Sequence, residues 1–428
     1  MPGCVVDCAA VPRPSFERLL AVSRCLLPLL LVLSACRTSS SGSSSNRGTQ
    51  APLPTLAVDM ASRPPFVRSD IPRIDLHSHV LLGAASRAAR LFDRNGIVHA
   101  VNLSGPPAAV GLDDFIADAE IAYNRFTLFT NLDWSLCEQG GYAERMVEDL
   151  VRAKALGARG LKIPKILGLG AKGPNGKLLS IDDSSLDAVF EKAGELGMPV
   201  AIHSGDPQAF WQEPNAQNER YEELQAHPSW SFFAPHQRGE IPSWQGLFEG
   251  FVRRVARHPK TIFIGVHFGN APEDPDLVAK VLDTYPNLMI DTAARLPAIG
   301  RRDQNHSPEK MRAFFLKYQD RIVFGSDTAV GRAPDALMFG STGKDPPTEV
   351  DGDRFFDATW RYFETTDTDI PSPTPIQGRW TLAGVGLPRA VLEKIYYRNA
   401  VRLLGLTLAP TPLPKPEGKI VPGRLQDL

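Results

Sequence analysis

His77 and His79 stand one residue apart in RIDLHSHVLLG (73–83), two imidazoles close enough to act together. Ile74 and Leu76 are the apolar members of an alternating run, so a strand here puts Asp75, His77 and His79 on one face. Two imidazoles aimed the same way at a strand end can hold a divalent metal. They can also be a polar strand end in solvent, because a short H-x-H arises often by chance. Lys162, His203, His267 and Asp327 likewise sit at or near the ends of short apolar runs. Imidazole and carboxylate suit zinc and related ions. Three histidines and one carboxylate, with water completing the shell, make an open catalytic site. There a metal lowers the pKa of water from about 15.7 to about 7. A further histidine can move protons or polarise a carbonyl.

From Ile71 onward the sequence supplies strands and helices that can carry these side chains. Candidate strands are 74–79, 97–103, 126–132, 159–163, 199–204, 261–267, 287–292 and 321–327. Between them MVEDLVRAKALG, LDAVFEKAGELG, LFEGFVRRVARH and PEKMRAFFLKYQ show apolar spacing near 3.6, and DDFIADAEIAYNR a weaker version of it. Strands alternating with helices imply parallel pairing. Eight such units make an α/β chain of the (β/α)8 TIM barrel class. An open doubly wound sheet is the competitor, but no Gly-x-Gly-x-x-Gly follows the first strand. In a parallel barrel the C-terminal strand ends share one rim, which would gather His77, His79, Lys162, His203, His267 and Asp327. Long loops after strands 5 (205–241) and 8 (328–381) leave from that same rim, and connections of this length are usually functional. Each contains Trp and Phe, as expected of a packed lid.

The rest of the chain sets the context. It has 428 residues, 43% hydrophobic and 22% charged, with a net charge of −1. That balance gives no attraction for nucleic acid and fits a small-molecule substrate; monomer and oligomer both remain open. Arginines 13, 18 and 24 precede CLLPLLLVLSA (25–35), too short a run to span a bilayer and suited to a signal peptide. Leu33-Ser34-Ala35-Cys36 resembles a bacterial lipobox, which would make 1–35 a lipoprotein signal peptide and Cys36 the lipidation site. An ordinary signal peptide cut near Ala35 is the alternative. Residues 36–69 read as a Ser/Gly/Pro-rich tether, 70–407 as the barrel and 408–428 as a Pro-rich tail. The expected location is the bacterial cell envelope, facing periplasm or exterior, touching membrane only through the lipid. Cys137 is then the one cysteine inside the barrel, excluding an intramolecular disulfide there; it reads as buried and inert.

Six pieces carry a resemblance: DLHSH (75–79), GARGLKI (157–163), PVAIHSGDP (199–207), FIGVHFG (263–269), IVFGSD (322–327) and IYYRNAVRLLGL (395–406). In this order, over roughly 70–407, the chain resembles the amidohydrolase superfamily, specifically the amidohydrolase-2 branch that includes aminocarboxymuconate-semialdehyde decarboxylase. NERYEEL (218–224) also looks like a bacterial subset of that branch. The resemblance implies a divalent metal ion, zinc by expectation, held by His77, His79, His203 and Asp327. It implies His267 as the catalytic histidine beside it, with Asp327 also acting as general base. In binuclear relatives a strand-4 lysine is carbamylated and bridges two metals. Single-metal sites are common in this branch, so Lys162 is read as an amine near substrate and one metal is favoured.

Other residues admit two readings. Arg295, after strand 7, can pair a substrate carboxylate bidentately or make a surface salt bridge. His99 reads as structural, and His258 and His306 as helix-end residues. His227 and His236, in the strand-5 loop, could each reach the pocket. Asp182 and Asp183 read as helix caps. The expected function is metal-dependent hydrolysis of an amide, ester or lactone. A non-oxidative decarboxylase or hydratase on the same site, and a non-catalytic binding lipoprotein, are the alternatives. A TatD-like nuclease fits less well, since Lys162 stands where such enzymes use a carboxylate.

Overall fold

The protein is described by a computed structural model covering residues 66–205, 207–343 and 345–407. The expected signal peptide (1–35), Cys36, the expected tether up to residue 65 and the expected tail from 408 lie outside the described residues. Among the described residues no helix is long and apolar enough to cross a membrane.

All eight expected strands form: β1 (Arg73–Val80), β2 (Ile97–Gly105), β3 (Phe126–Thr130), β4 (Gly160–Ile163), β5 (Val200–Ile202), β6 (Phe263–Gly265), β7 (Leu288–Asp291) and β8 (Ile322–Val323). They pair parallel in sequence order. The ring closes where the chain after β8 runs alongside β1. Leu76 N donates to Phe324 O and Asp327 N to His77 O, both at 2.8 Å. β9 (Thr328–Val330) then pairs parallel with β1 and antiparallel with β10 (Leu337–Phe339).

Period-2 patterning sorts the side chains. Leu161, Ile163, Val200, Ile202, Phe263, Ile290 and Ile322 belong to the large core under the helices. Their alternates Val101, Phe129, Ala201, Ile264, Met289 and Val323 pack together inside the barrel with Ile74, Leu76, Ala400 and Leu404. Full burial of each Val, Leu, Ile, Phe or Met among them contributes about 1.5–3 kcal/mol.

Helices follow the strands: α1 (Ala85–Arg94), α2 (Leu112–Ile121), α3 (Tyr142–Leu156), α4 (Asp187–Glu195), α5 (Trp244–Arg257), α6 (Pro275–Thr284), α7 (Pro308–Lys317) and α8 (Glu349–Glu364). Their starts are written in local chemistry. Ser243 Oγ accepts from Gly246 N at 3.1 Å, Asp274 Oδ1 from Leu277 N at 3.0 Å and Ser307 Oγ from Lys310 N at 3.2 Å. Thr348 and Asp351 form a capping box at α8. Asp183 caps the turn before α4, whereas Asp182 pairs with Arg253 at 2.6 Å. α2 stops before the end of DDFIADAEIAYNR because Tyr123 and Asn124 turn left-handed, with φ 55° and 56°.

Both long loops carry structure. The strand-5 connection winds through short turns at Gln208–Trp211, Tyr221–Ala226, Pro228–Trp230 and Phe233–Gln237. It meets the post-β8 segment where Arg379 pairs with Glu222 at 2.6 Å and His227 Nε2 bonds Thr342 O at 2.7 Å.

Candidate metal centre

β1 delivers His77 and His79, though not by simple alternation. Ile74 and Leu76 face the barrel interior, and the β1–β2 register shifts between Asp75 and Ser78, just where the histidines begin. Asp75 does not join them as a ligand. Fully buried, it accepts from His77 N and Ser326 N at 3.0 Å each and binds the Ser326 hydroxyl. It thus ties β1 to the turn that presents Asp327. Burial pushes its carboxyl up to about 7. Gly325 leaves room for this crossing, since a Cβ there would lie 2.8 Å from His77 Cβ.

Among the described residues, ligand atoms of His77, His79 and Asp327 all lie within 4.8 Å of one another. Asp327 Oδ1 is 3.4 Å from His77 Nε2 and 3.3 Å from His79 Nε2. Tetrahedral ligands at zinc distances of about 2.0–2.1 Å stand about 3.3–3.4 Å apart, so the N···O edges have the right length for such an ion. The opposite ring nitrogens are committed: His77 Nδ1 to Asp291 Oδ2 at 2.7 Å and His79 Nδ1 to Ser104 Oγ at 2.8 Å. With Asp291 accepting at Nδ1, His77 Nε2 carries the lone pair a metal needs, and Ser104 can accept from His79 Nδ1 in the same way. Burial pushes the Asp327 carboxyl up, but the imidazoles of His77, His79 and His267 outweigh it and hold the group well below the usual carboxylate range. Burial also lowers the His79 imidazole, against the pull of Asp327 and with help from His77 and Lys162. A neutral His79 imidazole and an ionised Asp327 carboxylate are the forms that bind a metal.

His267 lies on a strained turn. His267, Phe268, Gly269 and Asn270 are all left-handed, with φ of 54°, 59°, 72° and 64°. For a non-glycine residue this costs roughly 1–2 kcal/mol. The turn is held by Asn270 N to Val266 O at 2.8 Å and by His267 N to Asp291 Oδ1 at 2.7 Å. Gly265 permits the tight coil, since a Cβ there would meet Gly269 Cα at 3.0 Å. Ala294 (φ 54°) and Asp327 (φ 61°) add strain at neighbouring strand ends. The expected strands 261–267 and 321–327 therefore end early. His267 Nδ1 donates to Ala293 O at 3.0 Å, and its ring centroid is 4.9 Å from that of His77.

His203, just after β5, is outside the three-residue group; its ring centroid lies 4.3 Å from that of His267. Lys162 is buried on β4 and paired in register with Ala201, close enough for its charge to act on His79. Arg295 is buried after β7, excluding a surface salt bridge, and its Nη1 donates to Ala294 O at 2.9 Å. His227 stacks on Trp230 and His236 bonds Ile241 O at 3.3 Å, so both have partners within their own loop region. His99 bonds Thr127 inside the β-sheet, His258 follows α5 and His306 precedes α7. Cys137 is buried, its thiol pushed up to about 12 by that burial.

Asp291 is the residue sequence reasoning missed. One carboxylate oxygen orients His77; the other accepts from His267 N and from Ala293 N at 3.1 Å. Its signal was its place at the end of β7, level with the other rim residues. Ser104, within VNLSG, gave none.

A family model described as Amidohydrolase matches residues 118–406. No functionally curated protein matches the chain by sequence. Solved structures similar to it include 2,6-dihydroxybenzoate decarboxylase from Rhizobium (16% identity, 78% of this chain and 99% of that one, TM-score 0.44). Another is an amidohydrolase from Burkholderia multivorans with bound zinc (12% identity, 78% and 100%, TM-score 0.42). A third is an amidohydrolase from Pseudomonas aeruginosa (10% identity, 78% and 96%, TM-score 0.40).

Proposed function

The chain belongs to the amidohydrolase family, and we propose that it is a one-metal hydrolase of an amide, ester or lactone. The observation that carries the proposal is the convergence of His77 Nε2, His79 Nε2 and Asp327 Oδ1 at tetrahedral-edge spacing. These three residues, with His203 as a fourth ligand, would hold the ion, and zinc is the metal the donor set suits best. When bound, the metal supplies a water whose pKa falls to about 7.

The remaining work belongs to the protein. Asp327, within 3.4 Å of both imidazoles that would hold the ion, is placed to take a proton from water bound there. His267 donates from Nδ1 to Ala293 O, which leaves Nε2 to exchange protons with the leaving group. Asp291 keeps His77 and His267 in mutual register. Lys162 and Arg295, both buried cations, would attract and orient an anionic part of the substrate. The burial of Lys162 and Arg295 at the strand ends favours a second reading, decarboxylation of a carboxylated substrate on the same site. We further propose that Cys36 is lipidated and holds the barrel at the bacterial cell envelope through the 36–69 tether.

The test is a zinc-loaded enzyme challenged with parallel panels of amides, esters and lactones and of aromatic carboxylic acids. Hydrolysis lost in His267→Asn supports the hydrolase; turnover confined to the carboxylic acids with release of carbon dioxide selects the second reading. No turnover in either panel with metal bound would favour a binding protein.

A further inference from the structure

Asn270 is fully buried and sits at the end of the left-handed turn that carries His267. Its backbone closes that turn, with N donating to Val266 O at 2.8 Å. Its carboxamide reaches across to β5. Oδ1 accepts from Ser204 N at 2.8 Å and Nδ2 donates to Ile202 O at 3.2 Å. Those two partners flank His203 in the chain. One residue therefore grips the backbone on both sides of His203 and closes the turn that holds His267. The two rings it links stand 4.3 Å apart at 60°.

We propose that Asn270 is a positioning residue, a clamp that sets His203 against His267 so that one reaches the metal while the other stays beside it. The proposal rests on the metal reading above only for its effect on affinity. Asparagine suits the task because it adopts left-handed backbone more readily than most residues and offers a donor and an acceptor on one planar group. Glycine tolerates the same backbone but has no carboxamide.

Asn270→Gly thus removes the clamp without straining the turn. Two measurements read it. The first is zinc affinity by chelator competition, where the loss of support behind a ligand should weaken binding about 10–100-fold. The second is the imidazole 15N spectrum of metal-free protein, where His203 and His267 should move while His99 stays. Asn287→Ala is the control. Asn287 is also buried, its Nδ2 bonding three carbonyls of Val255, His258 and Thr261 at 3.0–3.1 Å, away from the site. It should lower thermal stability while leaving zinc affinity and the His203 and His267 signals in place. Unmoved His203 and His267 resonances in Asn270→Gly overturn the clamp, as does an equal displacement in Asn287→Ala. Moved resonances with unchanged zinc affinity support the clamp and remove only His203 from the ligand set. If Asn270→Gly does not fold, Asn270→Asp, which keeps the acceptor for Ser204 N and loses the donor to Ile202, is read by the same two measurements.

Discussion

Replacing Asp291 by asparagine changes one atom and should disarm the metal site. In the unaltered protein Oδ1 accepts two backbone N–H groups, from His267 and Ala293, and Oδ2 accepts from His77 Nδ1 at 2.7 Å. An amide nitrogen cannot occupy the Oδ1 position, because it would face two donors. The amide oxygen must sit there, which turns the NH2 toward His77 Nδ1. His77 can satisfy that donor only by moving its own proton to Nε2, the atom that faces Asp327. The metal then meets N–H instead of a lone pair. Outer partners of metal-bound histidines are worth about 10–100-fold in affinity, or about 1.4–2.8 kcal/mol at 1.4 kcal/mol per tenfold. The fold should survive, since both backbone donors keep their acceptor and the shape is unchanged. Zinc competition with a chromophoric chelator, with a thermal melt of both proteins, measures the effect. A folded Asp291→Asn that binds zinc as tightly as the unaltered chain would refute the tautomer argument.

Other outcomes follow from the same geometry. His267→Asn should keep the metal while kcat falls by about 10²–10⁴, whereas His203→Asn should lose metal and activity together; equal metal loss in both would make His267 a ligand. Burial pushes the His99 imidazole down to about 4, with Arg125 adding to it. The unfolded chain, with an ordinary value near 6.5, therefore binds that proton first. The associated stability is present above about pH 6.5 and is lost as pH falls toward 4, to at most about 3 kcal/mol. Urea titrations should show a flatter acid slope in His99→Gln, and an unchanged slope would assign the loss elsewhere. Cys36→Ser should move the protein from membrane to soluble fractions of a bacterial host; unchanged membrane fractionation would refute lipidation.

The barrel was legible because parallel strands buried on both faces leave short apolar runs, and runs such as GLKI and NLMID keep their period through to the sheet. The helix in PEKMRAFFLKYQ was legible from its apolar spacing, and it begins at Pro308, the first residue of that run. The rim was legible in identity but not in shape. His267 and Asp327 were expected to end extended strands, yet both are left-handed. That conformation is imposed by long-range bonds from Asp291 and His77, which no local pattern encodes. Asp75 shows the same limit. Alternation placed it beside the histidines, but the register shift and the Ser326 bonds gave it a bracing role.

Whether His77, His79 and Asp327 hold one metal ion at the barrel mouth is decided by anomalous diffraction at the zinc edge from crystals of the zinc-loaded protein. A single strong peak is expected about 2.0–2.2 Å from His77 Nε2, His79 Nε2 and an Asp327 carboxylate oxygen. A second peak bridged to the first by a modified Lys162, or a peak away from these three residues, would rule out this one-metal site.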